Sequence, residues 1–190
     1  MNYKQHLADY LEMEKCVLSE LDLDEVNELM NIMERARLDG KRIFICGNGG
    51  SAATASHFVC DFSKGVSLNQ EIKYDFECLS DNTPLFSAIA NDIGYDEVYE
   101  IPLRAKLHEG DVVIGISGSG NSENVIRALR YANEHGGFSV AVVGYDGGRM
   151  LEIARHAVHV RINNMQIVED VHMILDHMMM YVLANSGESA

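Results

Sequence analysis

Apolar residues recur at helical spacing in the N-terminal part of the chain. They stand three or four residues apart in 7–11 and again in 26–33, with polar residues between them. Asp22 and Asp24 interrupt the pattern between the two segments, as residues that favour a helix start do. The spacing therefore predicts two amphipathic helices within residues 3–39.

Beyond residue 40 the pattern changes to short apolar runs separated by segments with helical spacing. The runs are continuous, which is typical of parallel strands covered on both faces. The predicted strands are RIFIC (42–46), YDFECL (74–79), VVIGI (112–116), FSVAVVG (138–144) and AVHVRI (157–162). Helices are expected at about 84–91, from the SGSGNS loop through residue 133, after the DGG turn at 146–148, and at about 166–183.

This alternation predicts an α/β fold, a parallel sheet flanked by helices on both faces as in flavodoxin-like and Rossmann-like αβα sandwiches. The chain has 190 residues and only two prolines, and no low-complexity tract or long linker divides it. We therefore expect one structural unit, with an N-terminal helical pair in 1–39 that serves packing or oligomerisation and the sheet domain in 40–190.

The formal net charge of −14 disfavours nucleic acids and anionic membrane surfaces as partners, because these need clustered Lys and Arg. No stretch reaches the roughly 18 to 20 apolar residues of a membrane span, and the polar N-terminus lacks a signal-peptide core. The four cysteines lie far apart, without disulfide-framework or zinc-finger spacing. A cytoplasmic protein is the expectation, and an anionic ligand would have to bind at backbone N–H groups.

A glycine-rich turn, GNGGSA (47–52), follows the first predicted strand and opens a helix. It fits the G-x-G-x-x-A pattern of dinucleotide-binding folds. That pattern also requires an acidic residue at the end of the second strand, where Glu77 lies inside the strand and Asp81 lies just beyond it. Dinucleotide binding is therefore the weaker interpretation of this turn.

The second glycine-rich loop, ISGSGNSEN (116–124), is more specific. It carries Ser117, Ser119 and Ser122 together with two glycines, where a predicted strand is followed by a helix. Small residues let the backbone approach an anion, while N–H groups, hydroxyls and the helix dipole favour its charge. Because a serine N-cap would explain only one of these serines, the loop predicts a phosphate site.

Two predicted helices each carry a histidine and a carboxylate on one face. His57 and Asp61 are four residues apart in the first, and Glu169 and His177 are eight residues apart in the second. Such groups could converge on a divalent metal, supply a general acid and base, or pair to satisfy partly buried side chains. The broad face of the second helix also carries His172, Met173 and Asp176. The spacing does not exclude His172 as the functional histidine.

Five stretches stand in one colinear order across residues 40–183: GNGGSAATASHF, IANDIGYDEVY (89–99), GDVVIGISGSGNSENVIRAL (110–129), VVGYDGG (142–148) and VEDVHMILDH. Together they resemble the phosphoheptose isomerase branch of the sugar isomerase, or SIS, domain family. The resemblance implies a single SIS domain, assembled as a homotetramer with active sites between subunits. It also implies isomerisation of a phosphosugar, sedoheptulose 7-phosphate to D-glycero-D-manno-heptose 7-phosphate.

The resemblance further implies a role for each matching position. The acid/base pair would be Asp61 and His177. One zinc ion per subunit would be held by His57, Asp61, Glu169 and His177. The phosphate would be held by Ser117, Gly118, Ser119 and Ser122. Other substrate contacts would come from Asn48, Gly49, Gly50, Ser51, Asp61, Asn91, Asp92 and Glu169.

The chain departs from the family pattern at several of these positions. Asp61 stands where the family usually has Glu, Glu169 where it has Gln, and Gly118 where it has Thr. An arginine that usually follows is absent, and Lys64 is the nearest cation in the sequence. The shorter carboxylate moves its oxygens by about an ångström, which can cost about a hundredfold in rate. The charge of Glu169, by contrast, should strengthen a divalent metal site.

Two other functions stay open at this point. SIS domains also serve as non-catalytic phosphosugar sensors or as protein-binding modules, such as the replication-initiator-associating protein. Such modules need the phosphate loop but not the histidines and carboxylates, and the presence of both here favours an enzyme. Isomerisation or epimerisation of a different ketose phosphate is the third function, which the sequence does not distinguish from the first.

Overall fold

The computed structural model describes residues 1–185, and over that range a five-stranded sheet carries helices on both faces. Two helices precede the sheet, α1 (Lys4–Ser19) and α2 (Leu23–Leu38). The elements that follow are β1 (Arg42–Gly47), α3 (Gly50–Cys60), a π-helix (Asp61–Val66), a 3-10 turn (Ser67–Asn69), β2 (Asp75–Cys78), α4 (Thr83–Asp92), a 3-10 turn (Tyr95–Glu97), α5 (Glu100–Lys106), β3 (Val112–Ser117), α6 (Glu123–Glu134), β4 (Phe138–Val143), α7 (Gly148–Ile153), β5 (His156–His159) and α8 (Met165–Asn185).

All the strands are parallel, in the order β2-β1-β3-β4-β5. The chain reverses its direction of travel across the sheet between β1 and β3, where Ile45 pairs with Ile114. At such a switch point the loops beyond the two strands leave a crevice that binds ligands. The two glycine-rich loops of the sequence are the loops that follow β1 and β3.

Each face of the sheet has its own apolar core. On one face α2, α3 and α8 pack around sheet residues such as Ile45 and Ile114. On the other face α4 to α7 pack around Phe44 and Val113. Because Phe44 and Ile45 are adjacent in β1 and both are fully buried, the strand is covered on both sides, as its continuous apolar run indicates. The predicted α/β fold with helices on both faces is confirmed.

Helix α5 and strand β5 differ from the sequence pattern. Helix α5 was not expected, because it has only seven residues and contains Pro102, so it shows little helical periodicity. The last strand ends at His159, before the end of its apolar run. In the register with β4, His159 pairs with Val143, the last residue of that strand, so β5 has no further partner.

The two predicted N-terminal helices are present but are buried to different extents. Helix α2 places Leu29 and Met33 completely in the core that it shares with α8, whereas Val17 is the buried residue of α1. The side chains of Leu7 and Leu11 on α1 are 63% and 54% exposed. The division of the chain at residue 39 stays a prediction. Among the helices of residues 1–185, none has the length and apolar character that crossing a membrane requires.

Candidate active site

The turn between β1 and α3 depends on glycine. An ideal Cβ at Gly47 would lie 2.7 Å from Cβ of Ser51, which is too close for any side chain without a shift of the helix. Gly49 has φ 55° and ψ −122°, a conformation that residues with a side chain rarely adopt. The tight turn brings the N-terminus of α3, with its free N–H groups, to the crevice beside β3.

Side chains from distant segments hold Asn48 in this turn. The amides of Asn48 and Asn124 exchange hydrogen bonds, each Nδ2 donating to the other Oδ1 at 2.9 Å. The hydroxyls of Tyr95 and Tyr99 donate to Oδ1 of Asn48 at 2.8 and 3.3 Å, and Tyr99 also donates to the carbonyl of Gly47. No local sequence pattern indicates Tyr95, Tyr99 or Asn124 as residues of the site, although the IANDIGYDEVY stretch contains both tyrosines.

The serine loop presents hydroxyls at the start of α6. Ser117 ends β3 and is buried, and its Oγ lies 3.2 Å from Oγ of Ser122. Ser122 is the N-cap residue of α6, but its side chain makes no capping hydrogen bond. Oγ of Ser119 accepts a hydrogen bond of 3.3 Å from the N–H of Asn121. The hydroxyls of Ser117 and Ser122 therefore make no capping hydrogen bond and face each other at a helix N-terminus, where an anion is favoured.

A cavity of about 200 Å³ lies between the two loops. Its lining consists of Asn48, Ser51, Ile116, Ser117, Gly118, Ser119, Ser122, Met165 and Glu169. Within the described part of the chain, this lining contains no Lys or Arg. An anion bound here would therefore be held by hydroxyls, by N–H groups and by the helix dipoles of α3 and α6.

Helices α3 and α8 lie side by side, and both begin at the cavity and run away from it in the same direction. At the cavity end, an ideal Cβ on Gly50 would lie 2.4 Å from either carboxylate oxygen of Glu169. Two turns farther along, Nε2 of His57 lies 3.1 Å from Nε2 of His177. The two histidine-bearing faces that the sequence predicts therefore meet in the structure.

The side chains that meet are His57, Asp61, Asp176 and His177, and one donor atom of each lies within 4.8 Å of the others. Nε2 of His57 is 3.6 Å from Oδ2 of Asp61 and 4.0 Å from Oδ2 of Asp176. Asp61 begins the π-helix that continues α3, and π-helical turns are frequent at functional sites. The spacing in the sequence puts Asp176 on the same broad face of its helix as His177, but it indicates no function for Asp176.

These four donors fit a divalent metal. Bonds of about 2.0 to 2.2 Å in a tetrahedral zinc site put neighbouring donor atoms about 3.4 Å apart. The distances from Nε2 of His57 to the other three donors, 3.1, 3.6 and 4.0 Å, bracket that value. Two imidazoles with two carboxylates are also an ordinary donor set for zinc. Among residues 1–185, this is the one group of side chains with such geometry.

Burial shifts the pKa of two groups on α8. Asp176 is 0% exposed, and neither of its oxygens has a hydrogen-bond partner among the described residues. Burial, and after it the negative charge of Asp61, raises the pKa of Asp176 to about 8. Burial lowers the pKa of His172 to about 4, so its imidazole is neutral. His172 lies in the core, outside the four-residue cluster.

The sequence and the fold are similar to those of a known family of proteins. The SIS domain family matches residues 4–144. The probable phosphoheptose isomerase of Thermoplasma volcanium is 33% identical over 184 residues, which cover 96% of this chain and 93% of that protein. The phosphoheptose isomerase of Aliarcobacter butzleri is 36% identical over 77% of each chain. The structure of phosphoheptose isomerase GmhA from Neisseria gonorrhoeae superposes with a TM-score of 0.88 and 28% identity over 96% of this chain and 98% of that one.

The chain belongs to the SIS domain family, in its phosphoheptose isomerase branch. Gly118 stands where this branch usually has Thr, and the structure shows why glycine fits. An ideal Cβ at Gly118 would lie 2.5 Å from Sδ of Met165. The carbonyl of Gly118 also accepts a hydrogen bond of 2.9 Å from the N–H of Gly144, which fixes the loop against the end of β4. Met165 therefore occupies the space that the threonine side chain would need.

The other residues that the SIS resemblance singles out lie outside the cluster. Glu169 lines the cavity beside Gly50. Asn91 and Asp92 end α4 and are exposed, with Nδ2 of Asn91 donating to Oδ1 of Asp92 at 2.7 Å, and neither lines the cavity. Lys64 is exposed on the π-helix. The substrate contacts of Asn91 and Asp92 and the metal contact of Glu169 stay predictions.

Proposed function

We propose that this SIS-domain protein is an aldose–ketose isomerase that interconverts sedoheptulose 7-phosphate and D-glycero-D-manno-heptose 7-phosphate through an enediolate. Similarity to phosphoheptose isomerases over almost the whole chain supports the reaction class. One observation carries the proposal: a cavity suited to phosphate lies where α3 and α8 begin, and a cluster suited to proton transfer lies about two turns farther along the same two helices. The two parts of the site match a ketose phosphate, which has its phosphate and its carbonyl at opposite ends of the carbon chain.

The phosphate binds in the serine loop. The hydroxyls of Ser117 and Ser122 donate to its oxygens, and the N-terminus of α6 favours its charge. The sugar chain then extends along α3 and α8 past Ser51 and Glu169, whose polar atoms face its hydroxyls. This orientation brings the carbonyl end of the sugar toward the His–carboxylate cluster.

Asp61 and His177 carry out the proton transfers. The carboxylate of Asp61 takes a proton from C1, beside the ketose carbonyl, and returns it to C2 of the enediolate. The imidazole of His177 moves a proton between O1 and O2. The Asp61 side chain is 18% exposed, so little water reaches it to exchange with the transferred proton.

One zinc ion per subunit is part of the proposal. His57, Asp61 and His177 would hold it together with a second carboxylate, a position that the family resemblance assigns to Glu169. When bound, the ion would act as a Lewis acid that polarises the sugar carbonyl and offsets the negative charge on its oxygens. The donor distances within the cluster support this part of the proposal.

We further propose a cytoplasmic homotetramer whose active sites lie between subunits. The exposed apolar side chains of α1, among them Leu7 and Leu11, offer a surface for a second subunit. Sites between subunits would also give Asn91 and Asp92 a substrate to contact, although in a single chain they lie outside the cavity. The net charge of −14 supports the absence of nucleic-acid and membrane partners.

A phosphosugar sensor is the rival function, because it would need the same cavity. It would have no use for Asp61 beside the buried Asp176, since two neighbouring carboxylates destabilise the folded chain. The cluster therefore favours catalysis. An isomerase of another ketose phosphate would use the same groups, so the substrate has to be tested directly.

The test is to incubate the purified protein with sedoheptulose 7-phosphate, with added zinc and after chelation, and to follow the sugar by proton NMR. Appearance of the aldose 7-phosphate is the expected result. Binding of the ketose without turnover in both conditions would contradict the proposal and support the sensor. Shorter ketose phosphates tested in parallel should be turned over more slowly, and a faster one among them would change the assigned substrate.

A further inference from the structure

Helix α8 offers two carboxylates as the fourth metal ligand, and they lie at different places along the helix. Glu169 is eight residues from His177, about 12 Å along the axis, whereas Asp176 is its direct neighbour. We propose that Asp176, and not Glu169, completes the metal site of this chain, and that Glu169 serves the sugar-binding cavity instead. This inference rests on the proposed function for the presence of a metal.

Position supports Asp176 as the ligand. Its Oδ2 lies 4.0 Å from Nε2 of His57, and it belongs to the group of donors that lie within 4.8 Å of one another. A small adjustment of these side chains would bring all four donors to the spacing of a tetrahedral site. Glu169 does not belong to that group.

Burial gives a second, independent argument. Both oxygens of Asp176 are buried, and neither has a hydrogen-bond partner among the described residues. A buried carboxylate is stable in a folded protein when it is paired or coordinates a metal. No ion pair with Lys or Arg reaches Asp176 in the described part of the chain, and the ionisable side chains that it faces are His57 and Asp61. A cation between these side chains would satisfy Asp176 and relieve its repulsion with Asp61.

Glu169 has a different environment. Both of its oxygens lie against Gly50, at the start of α3, where the absence of a side chain leaves room for them. The same carboxylate lines the cavity with Ser51 and the serine loop. A carboxylate in that position accepts hydrogen bonds from sugar hydroxyls. Glu169 stands where the family usually has glutamine, and its negative charge therefore acts on the sugar side of the site.

This assignment also balances the charge of the metal. With Asp61 and Asp176 the metal has two carboxylates to balance its two charges, one from α3 and its π-helical continuation and one from α8. The metal-binding role is shared by a pair of aspartates that face each other across the two helices.

The experiment measures zinc affinity of the metal-depleted protein by competition with a chromophoric chelator, for the unaltered chain, Asp176→Asn and Glu169→Gln. Asp176→Asn should weaken zinc binding by more than the about 10- to 100-fold that loss of an outer partner costs. Glu169→Gln should leave zinc affinity within about threefold and should instead raise KM for the sugar phosphate. His57→Ala serves as the positive control for loss of the site.

Cobalt absorption provides a second measurement that does not depend on Asp176→Asn folding. The visible bands of the Co²⁺ protein should be the same in Glu169→Gln and in the unaltered chain, because the ligands are unchanged. Changed bands together with weakened zinc binding in Glu169→Gln would overturn the proposal, as would unchanged zinc affinity in folded Asp176→Asn. If the chain isomerises the sugar but binds no zinc, the ligand assignment fails and the proposed function stands. If zinc binding depends on Asp176 but the chain does not isomerise the sugar, the ligand assignment stands and the proposed function fails.

Discussion

The two ends of the site between α3 and α8 are built from different chemistry. At the cavity end, hydroxyls, amides and helix N-termini line the space, and their partners are already present in the protein, as in the reciprocal amide pair of Asn48 and Asn124. At the other end, two carboxylates and two imidazoles crowd together, and the oxygens of Asp176 have no hydrogen-bond partner among residues 1–185.

The difference separates recognition from chemistry. Neutral donors with internal partners keep their geometry whether or not a phosphate is bound, so they can hold one end of a substrate in place. Crowded ionisable groups are costly in a folded chain and become useful when a cation or a reacting substrate balances them. Substitutions at the cavity end should therefore change binding, and substitutions at the cluster should change turnover or pH dependence.

The largest effect is expected from Asp61→Asn. The amide cannot take a proton from carbon, so kcat should fall by about a thousandfold or more, in the range of general-base contributions. The dissociation constant of the sugar phosphate, measured by calorimetry on the same variant, should change little because the cavity is intact. The control is Asp75→Asn, an exposed carboxylate paired with Arg42, which should leave kcat unchanged. Near-normal turnover in Asp61→Asn would rule out its role as the base.

The double variant Ser117→Ala with Ser122→Ala tests the cavity end. Each hydroxyl donates to a charged phosphate, and loss of one such bond costs about 1.5 to 3 kcal/mol, or about 10- to 100-fold in binding, so loss of both should weaken binding by about 100-fold or more. KM should rise accordingly while kcat falls much less. Ser87→Ala on α4, whose hydroxyl bonds the carbonyl of Pro84, is the control. A fall in kcat with unchanged KM would show that the two ends are not separate in function.

Gly118→Thr tests whether packing against Met165 explains a departure from the family. The added side chain meets Sδ of Met165, so the free energy of unfolding should fall by about 1 to 3 kcal/mol. Met165→Ala in the same chain removes the obstacle and should recover part of that loss, as urea denaturation of the four combinations would show. Additive effects of the two changes would contradict direct packing.

The fourth prediction is a gradual pH dependence of stability in the metal-free protein, which changes by a small amount over each pH unit. The pKa of Asp176 is about 8 in the folded chain and ordinary, 3.8, when unfolded, so between these values the folded chain binds the extra proton. The free energy of unfolding should therefore fall as the pH rises from 4 to 8, by up to about 1.4 kcal/mol per pH unit. Asp176→Asn should reduce that slope in urea titrations with chelator present. Equal slopes in the two proteins would contradict a buried, unpaired Asp176.

The fold and the serine loop were predictable because their signals are local. Continuous apolar runs mark strands that are covered on both faces, and the serines and glycines of 117–122 stand next to each other in the sequence. Helix α5 and the length of β5 were not predictable, because a short helix shows little periodicity and a strand ends where its neighbour's register ends. Tyr95 and Asn124 were missed since each contacts Asn48 over a long stretch of intervening chain.

The sequence by itself determined the α/β architecture, the family, the two loops at the switch point, and the helix faces that carry His57 with Asp61 and His177 with its neighbouring carboxylates. Periodicity specifies which residues share a helix face, but not how far along a second helix each of them finds a partner. The tertiary structure decided that point by setting α3 beside α8, so that Gly50 meets Glu169 and His57 meets Asp176 and His177. Which carboxylate lies in the cluster follows from the packing of two helices, and no spacing within one helix contains that information.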